Sequence, residues 1–345
     1  MKQSKALESM SSIVPIIDLS PLFAEYDSEA ARCEAEKAVA RQIGAACEAI
    51  GFLVLTGHNV PTQVVDEAWN AVKEFFDLPL EEKMKHTFPQ EINPFGYNPM
   101  GAEVLSSGKA VEKRGQGDKE VSSMADAPDL KEMYSVGPEK FDKIERVLPE
   151  NPPQFAAAVT TYYNNLNSLA KRILRCFALA LELDNADFFE QFCTNHASAL
   201  RAIHYPEIKD NKVVLPGQLR ASAHTDYGTI TILRADGPGL QVSKDLDPPV
   251  WHDVPIVPNC FIINLGDLMR RWTNDRWLST LHRVIIPLDD EATRRRQSMA
   301  FFHNINRDAE VKVLLKSADE VPKHPPIVAG DFLLQKHLAS LGMRT

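Results

Sequence analysis

The chain has 345 residues, enough for one large domain or two small ones, and its 38 Lys and Arg against 47 Asp and Glu give a net charge of −9. That acidic balance, interrupted only by the short run Arg294-Arg295-Arg296, argues against nucleic-acid partners. Hydrophobic residues at 44 % and charged residues at 25 % describe a globular chain long enough to fold without disulfide or metal staples.

Five cysteines, scattered and odd in number with no C-x-x-C pair, suit reduced thiols in a cytoplasmic compartment. The N-terminus lacks the apolar core of a signal peptide, and no window approaches the ~20 apolar residues of a membrane span. A soluble, cytoplasmic protein without membrane contact is the expectation.

In chain order, residues 28–50 carry apolar positions at helical spacing and stop at Gly51. Phe52–Leu55, held between Gly51 and Gly57, reads as a strand. Residues 62–77 form a second amphipathic pattern through Val64, Val65, Ala68, Val72, Phe75 and Phe76. Residues 95–128, with five glycines among basic residues, read as a long surface loop of the kind that carries function. Residues 153–182 make the longest helical pattern. After residue 196 the period changes to two: 199–205, 228–233, 261–265, 283–288 and 297–304 read as strands separated by Gly and Pro turns. Several short strands so spaced indicate an antiparallel sandwich or jelly roll, with 331–341 as a closing helix.

His224-Thr225-Asp226 is the one H-x-D of the chain. On an extended strand, residues two apart share a face, so imidazole and carboxylate can converge on one ion. His282, far downstream and directly before Val284-Ile285-Ile286, is the candidate third ligand; His204, His252 and His303 compete. Two neutral imidazoles and one carboxylate leave coordination positions open, as a non-haem Fe(II) oxygenase needs for a 2-oxo acid and O2, although the same set can hold catalytic zinc in a hydrolase. Arg296 and Ser298 also share a strand face, and a guanidinium beside a hydroxyl grips a carboxylate well. Arg220-Ala221-Ser222 matches the same R-x-S pattern, but Arg296 has the position downstream of His282.

These residues resemble a known family. His224-Thr225-Asp226-Tyr227-Gly228 with Gly239-Leu240-Gln241-Val242, Asn264-Leu265-Gly266-Asp267, Arg271-Trp272-Thr273-Asn274 and Ser279-Thr280-Leu281-His282-Arg283-Val284 look like the signature of isopenicillin-N-synthase-like, Fe(II)/2-oxoglutarate-dependent dioxygenases. Upstream matches are Val14-Pro15-Ile16-Ile17-Asp18, Gly51-Phe52 with Gly57-His58, Phe75-Phe76-Asp77-Leu78-Pro79 with Glu82-Lys83, and Gly96-Tyr97. The resemblance runs from about residue 14 to the C-terminal helix, with order and spacing agreeing throughout.

The resemblance implies a mainly β fold with surrounding helices: a double-stranded β-helix (jelly-roll) core. It divides the chain into a mostly helical region at 1–195 that packs on the core without folding independently, a catalytic core at 196–310, and a C-terminal segment at 311–345. It implies Fe(II) on His224, Asp226 and His282, and 2-oxoglutarate held by Arg296 and Ser298 with Tyr205 beside it. Ile203 stands where plant members often carry an asparagine that contacts the co-substrate. The implied reaction consumes O2, converts 2-oxoglutarate to succinate and CO2, and hydroxylates, desaturates or cyclises at a C–H bond of a small-molecule substrate. Relatives that keep the triad and R-x-S pair without consuming 2-oxoglutarate make an iron oxidase the alternative within the fold. Tyr97, Lys109, Arg114 and Arg270 are the candidate substrate contacts, the cations suiting a carboxylated or amino-acid-derived metabolite.

Overall fold

A computed structural model describes residues 13–89, 93–101, 129–141, 144–208, 218–287 and 294–340. Its helices are α1 (Glu29–Ala49), α2 (Thr62–Phe76), α3 (Leu80–Met84), α4 (Phe155–Ala180), α5 (Asp267–Trp272) and α6 (Ala329–Ser340). Its strands are β1 (Ile16–Asp18), β2 (Phe52–Thr56), β3 (Gly96–Asn98), β4 (Glu132–Val136), β5 (Lys140–Phe141), β6 (Ile144–Glu145), β7 (Ala199–Tyr205) and β8 (Ala221–His224). They continue with β9 (Ile230–Ala235), β10 (Leu240–Ser243), β11 (His252–Asp253), β12 (Phe261–Leu265), β13 (Leu281–Val284), β14 (Arg296–His303), β15 (Glu310–Val311) and β16 (Ile327–Val328).

Local chemistry accounts for the helices. Ser28 caps α1, its hydroxyl accepting Ala31 N–H at 3.2 Å. The helix ends before Gly51, whose positive φ of 66° places the chain so close to Leu278 that a Cβ would lie 2.1 Å from that carbonyl oxygen. In α2, Val65, Ala68, Val72 and Phe75 line one buried face. In α4, Val159, Tyr162, Leu166, Ala170, Ile173 and Phe177 do the same over a longer run. These faces pack with Leu53, Leu55, Ile230, Ile232 and Phe301 to form the main core. Burying each of the larger side chains, Val, Leu, Ile or Phe, contributes about 1.5–3 kcal/mol.

Eight strands form one sheet in the order β1-β2-β12-β9-β14-β7-β4-β3, and four form a second in the order β11-β10-β13-β8. From β7 to β14 the chain switches repeatedly between the two sheets, the winding of a double-stranded β-helix. The sheets face each other across a second core in which Phe52, Val54 and Ile262 meet Ala221, Leu240, Val242 and Val284. β1 to β4 extend the large sheet on both sides, so residues before 195 contribute to the jelly roll as well as to the helical layer. No helix among the described residues is long and apolar enough to cross a membrane.

Three expectations for elements change. Gly96–Asn98 is not loop but a strand on β4, which period counting missed; residues 102–128 of the expected loop lie outside the described residues. Pairing with β10 starts β13 at Leu281 and places His282 inside the strand rather than before it. Asp226 lies beyond the end of β8, so strand alternation does not bring the H-x-D residues together.

Candidate active site

β8 and β13 are antiparallel neighbours with His224 directly opposite His282, and their ring centroids are 4.3 Å apart. The register shifts immediately beyond this pair, a bulge of the type that re-aims side chains near active sites. After His224 the chain turns and returns Asp226 towards both rings. The turn is held by α5: Asp267 N–H donates to Asp226 O at 2.8 Å, Leu268 N–H to Tyr227 O at 3.1 Å, and Thr225 Oγ1 to Asp267 Oδ2 at 3.2 Å. Gly266 permits the approach, since a Cβ there would lie 2.3 Å from Gly228 O.

Each polar atom of the three side chains that faces away from the shared space has a partner. His224 Nδ1 is 2.7 Å from Ser222 O, and His282 Nδ1 is 3.0 Å from Thr280 O. As donors to carbonyls, both rings present Nε2 as the lone-pair atom. Asp226 Oδ2 accepts from Thr231 Oγ1 at 2.5 Å and Asn264 Nδ2 at 2.6 Å. Asp226 Oδ1 is 3.8 Å from His224 Nε2 and 3.6 Å from His282 Nε2. The three ligating atoms lie within 4.8 Å of one another, the one such cluster among the described residues.

The electrostatics match a cation site. Burial, then the adjacent His282 imidazole, lower the His224 pKa to about 4, so the ring is neutral at physiological pH. Burial alone would raise the Asp226 carboxyl, but the two imidazoles and the Asn264 and Thr231 hydrogen bonds bring it below the usual carboxylate range. Neutral imidazoles and an ionised carboxylate are the forms that bind a metal.

Arg296 and Ser298 share a face of β14, opposite Tyr205 and Ile203 of β7. Arg296 is 2 % exposed, and its guanidinium carbon sits 4.8 Å from the Tyr205 ring centroid. Nε donates to Gly237 O at 3.1 Å, while the buried Nη1 has no partner among the described residues. An unpaired buried guanidinium nitrogen is costly and is suited to an incoming carboxylate. The residues present therefore fit both a ferrous ion and a dicarboxylic co-substrate.

The substrate-contact candidates are not gathered here. Tyr97 faces the helical layer, its ring 6.0 Å from Phe75 and its hydroxyl donating to the buried Glu132 carboxylate; at 1 % exposure it is a core residue. Cross-strand pairing with Tyr134 fixes that face, which a lone Gly96-Tyr97 dipeptide does not reveal. Arg270 is paired with Asp275 at 3.1 Å, and His324 Nε2 lies 3.0 Å from the same oxygen. Lys109 and Arg114 lie outside the described residues. Of the competing imidazoles, His204 Nδ1 pairs with Glu132 at 2.6 Å, and His303 is buried beside His196 at 5.8 Å between centroids.

Sequence reading missed Thr231 and Asn264 as partners of Asp226. The available signal was alternation: register places them opposite each other on β9 and β12, pointing between the sheets.

Comparison with known proteins agrees with this geometry. Residues 14–157 match the family model for the N-terminal region of non-haem dioxygenases in morphine synthesis, and residues 196–305 match the 2OG-Fe(II) oxygenase superfamily. The 2-oxoglutarate-Fe(II) type oxidoreductase hxnY of Emericella nidulans is 34 % identical over 95 % of this chain and 90 % of its own. The proline hydroxylase buaE of Petromyces alliaceus is 33 % identical over 84 % of this chain and 89 % of its own. The crystal structure of a full-length Neurospora crassa protein in complex with alpha-KG superposes with a TM-score of 0.79 at 27 % identity, covering 94 % of this chain and 95 % of that one. With the fold, the donor set and near-full-length relatives in agreement, the chain belongs to the 2-oxoglutarate- and Fe(II)-dependent oxygenases, enzymes that use Fe(II), 2-oxoglutarate and O2.

Proposed function

We propose that His224, Asp226 and His282 hold the ferrous ion, and that Arg296 and Ser298 take the distal carboxylate of 2-oxoglutarate beside Tyr205. We further propose that the enzyme oxidises a C–H bond of a small carboxylated or amino-acid-derived metabolite. The observation that carries the reading is the convergence of His224 Nε2, His282 Nε2 and Asp226 Oδ1 in the same jelly roll as the unpaired, buried Arg296 Nη1. A zinc hydrolase built on the same three ligands would leave that guanidinium without a task.

When bound, the metal and co-substrate supply the activation of O2 and the removal of a hydrogen atom from carbon. The chain's own work is positional. Thr231 and Asn264 hold Asp226 Oδ2 and so aim Oδ1; Ser222 and Thr280 fix the two imidazoles; Arg296 orients the co-substrate by its far end. The proposed catalytic core at 196–310 supplies these groups.

Two observations support an acidic substrate. Arg201 shares the inward face of β7 with Ile203 and Tyr205, and its guanidinium lies 5.5 Å from the Phe302 ring centroid. Phe302 is cross-strand from Thr231, the partner of Asp226, so Arg201 stands near the metal end of the barrel. A relative named for proline hydroxylation agrees with an amino-acid-like substrate.

The test is succinate release by Fe(II)-reconstituted enzyme across a set of amino acids and small carboxylic acids, with product analysis to distinguish hydroxylation, desaturation and ring closure. Substrate-dependent succinate that disappears in His282→Ala is the expected result. A His282→Ala enzyme with full turnover would overturn the ligand assignment. Substrate oxidation without succinate would indicate the oxidase alternative.

A further inference from the structure

Among the described residues, β8 carries His224 yet is the edge strand of the small sheet, with β13 as its one neighbour there. Edge strands leave amides without ladder partners, and β8 is also irregular because of the register shift beside His282. Strand pairing alone therefore holds the Ser222–His224 backbone weakly. The structure covers this edge with residues just before β4. Leu130 N–H donates to Leu219 O at 3.3 Å. Asp129 Oδ1 accepts both Ser222 N–H at 3.0 Å and Ser222 Oγ at 2.8 Å. Asp129 Oδ2 lies 3.2 Å from Lys131 Nζ, and the two residues are 1 % and 5 % exposed. Ser222 O is the partner of His224 Nδ1. His282 has its own support, since Thr280, whose carbonyl faces that ring, is tied by Oγ1 to Ile50 O at 2.5 Å.

We propose that Asp129 is a positioning residue for the metal centre. Its carboxylate clamps Ser222 by amide and hydroxyl together, so that the Ser222 carbonyl holds the His224 ring with Nε2 towards the ion. The inference rests on the ligand assignment above and extends it to a residue that touches neither metal nor substrate. Partners of this kind typically change metal affinity 10- to 100-fold.

The test is Co(II) titration of the metal-free enzyme, followed by its visible d–d absorption, a readout that needs no turnover. Asp129→Asn is expected to weaken Co(II) binding at least tenfold and shift the absorption band. Ser222→Ala, which keeps the amide arm, is expected to lose two- to fivefold. Should Asp129→Asn fail to fold, Ser222→Ala carries the test. Binding within twofold of wild type and an unshifted band, in Asp129→Asn or in that fallback, would overturn the proposal. A His224→Ala control separates the two layers: lost binding there with normal binding in Asp129→Asn refutes the positioning role alone. Undiminished binding in His224→Ala refutes the ligand assignment and the positioning role together.

Discussion

Replacing Arg296 by alanine tests the co-substrate grip most directly. The guanidinium is fully enclosed, with Nε committed to Gly237 O and Nη1 without a partner among the described residues. The smallest effect follows from one charge-assisted hydrogen bond through Nη1, worth about 1.5–3 kcal/mol. At about 1.4 kcal/mol per decade, that weakens 2-oxoglutarate binding roughly 10- to 150-fold. A second bond, or the loss of the cation over the Tyr205 ring, moves the result towards the upper end. Arg296→Lys keeps the charge but cannot hold Gly237 O and a carboxylate with one planar fork, so it is expected to recover only part of the loss. The assay is the KM for 2-oxoglutarate from succinate release, alongside Fe(II) affinity by equilibrium binding. KM rises and Fe(II) affinity stays within twofold if the reasoning holds. An unchanged KM in Arg296→Ala refutes it, and equal loss of Fe(II) binding would show that the substitution damages the whole barrel.

Asn264→Leu and Thr231→Val each free one side of Asp226 Oδ2; we expect Fe(II) affinity to fall 10- to 100-fold with little change in the KM for 2-oxoglutarate, measured by equilibrium binding and succinate release. Tyr97→Phe, expected to leave the substrate KM unchanged because the ring faces the helices, should lower stability by about 1–3 kcal/mol in urea unfolding. Lys83→Met leaves Glu132 without its 2.8 Å ammonium partner and is expected to cost about 3–5 kcal/mol, read from the same unfolding curves. Glu132 also sets an acid limit: burial opposes its ionisation, but hydrogen bonds from His204, Lys83 and Tyr97 outweigh it and hold the pKa at about 2, below the ordinary 4.5. A depressed carboxylate stabilises the fold fully above its unfolded pKa, and that contribution is lost as pH falls from about 4.5 towards 2. Glu132→Gln should therefore be less stable near neutrality and show a shallower loss across that window, followed by circular dichroism; an acid profile parallel to wild type would contradict it.

Much of the site was legible in the sequence because local periodicity, residue chemistry and the resemblance of ordered motifs to a known family all bear on it. Alternation placed Arg296 and Ser298 on one face, and β14 keeps them there through regular pairing with β7 and β9. His224, Asp226 and His282 were candidates by residue type, and the resemblance of the surrounding motifs, rather than the spacing alone, singled them out from His204, His252 and His303. Helical spacing located α1, α2 and α4 closely, since each buries a continuous stripe that one segment specifies by itself.

The rest depended on which distant segments meet. Asp226 reaches the two imidazoles through a turn pinned by α5, not through strand geometry, and only contact between segments some forty residues apart creates that turn. Tyr97 carries the same dipeptide signal whether it faces substrate or core; pairing of β3 with β4 turned it towards Glu132. Asp129 gained its partner because the edge strand β8 runs beside it and turns the Ser222 amide towards it. Residue types and short-range periods offered a candidate ligand set, and the order and spacing of motifs along the chain pointed through resemblance to its chemistry, while long-range strand pairing, which no local window encodes, chose the side chains that hold it in place.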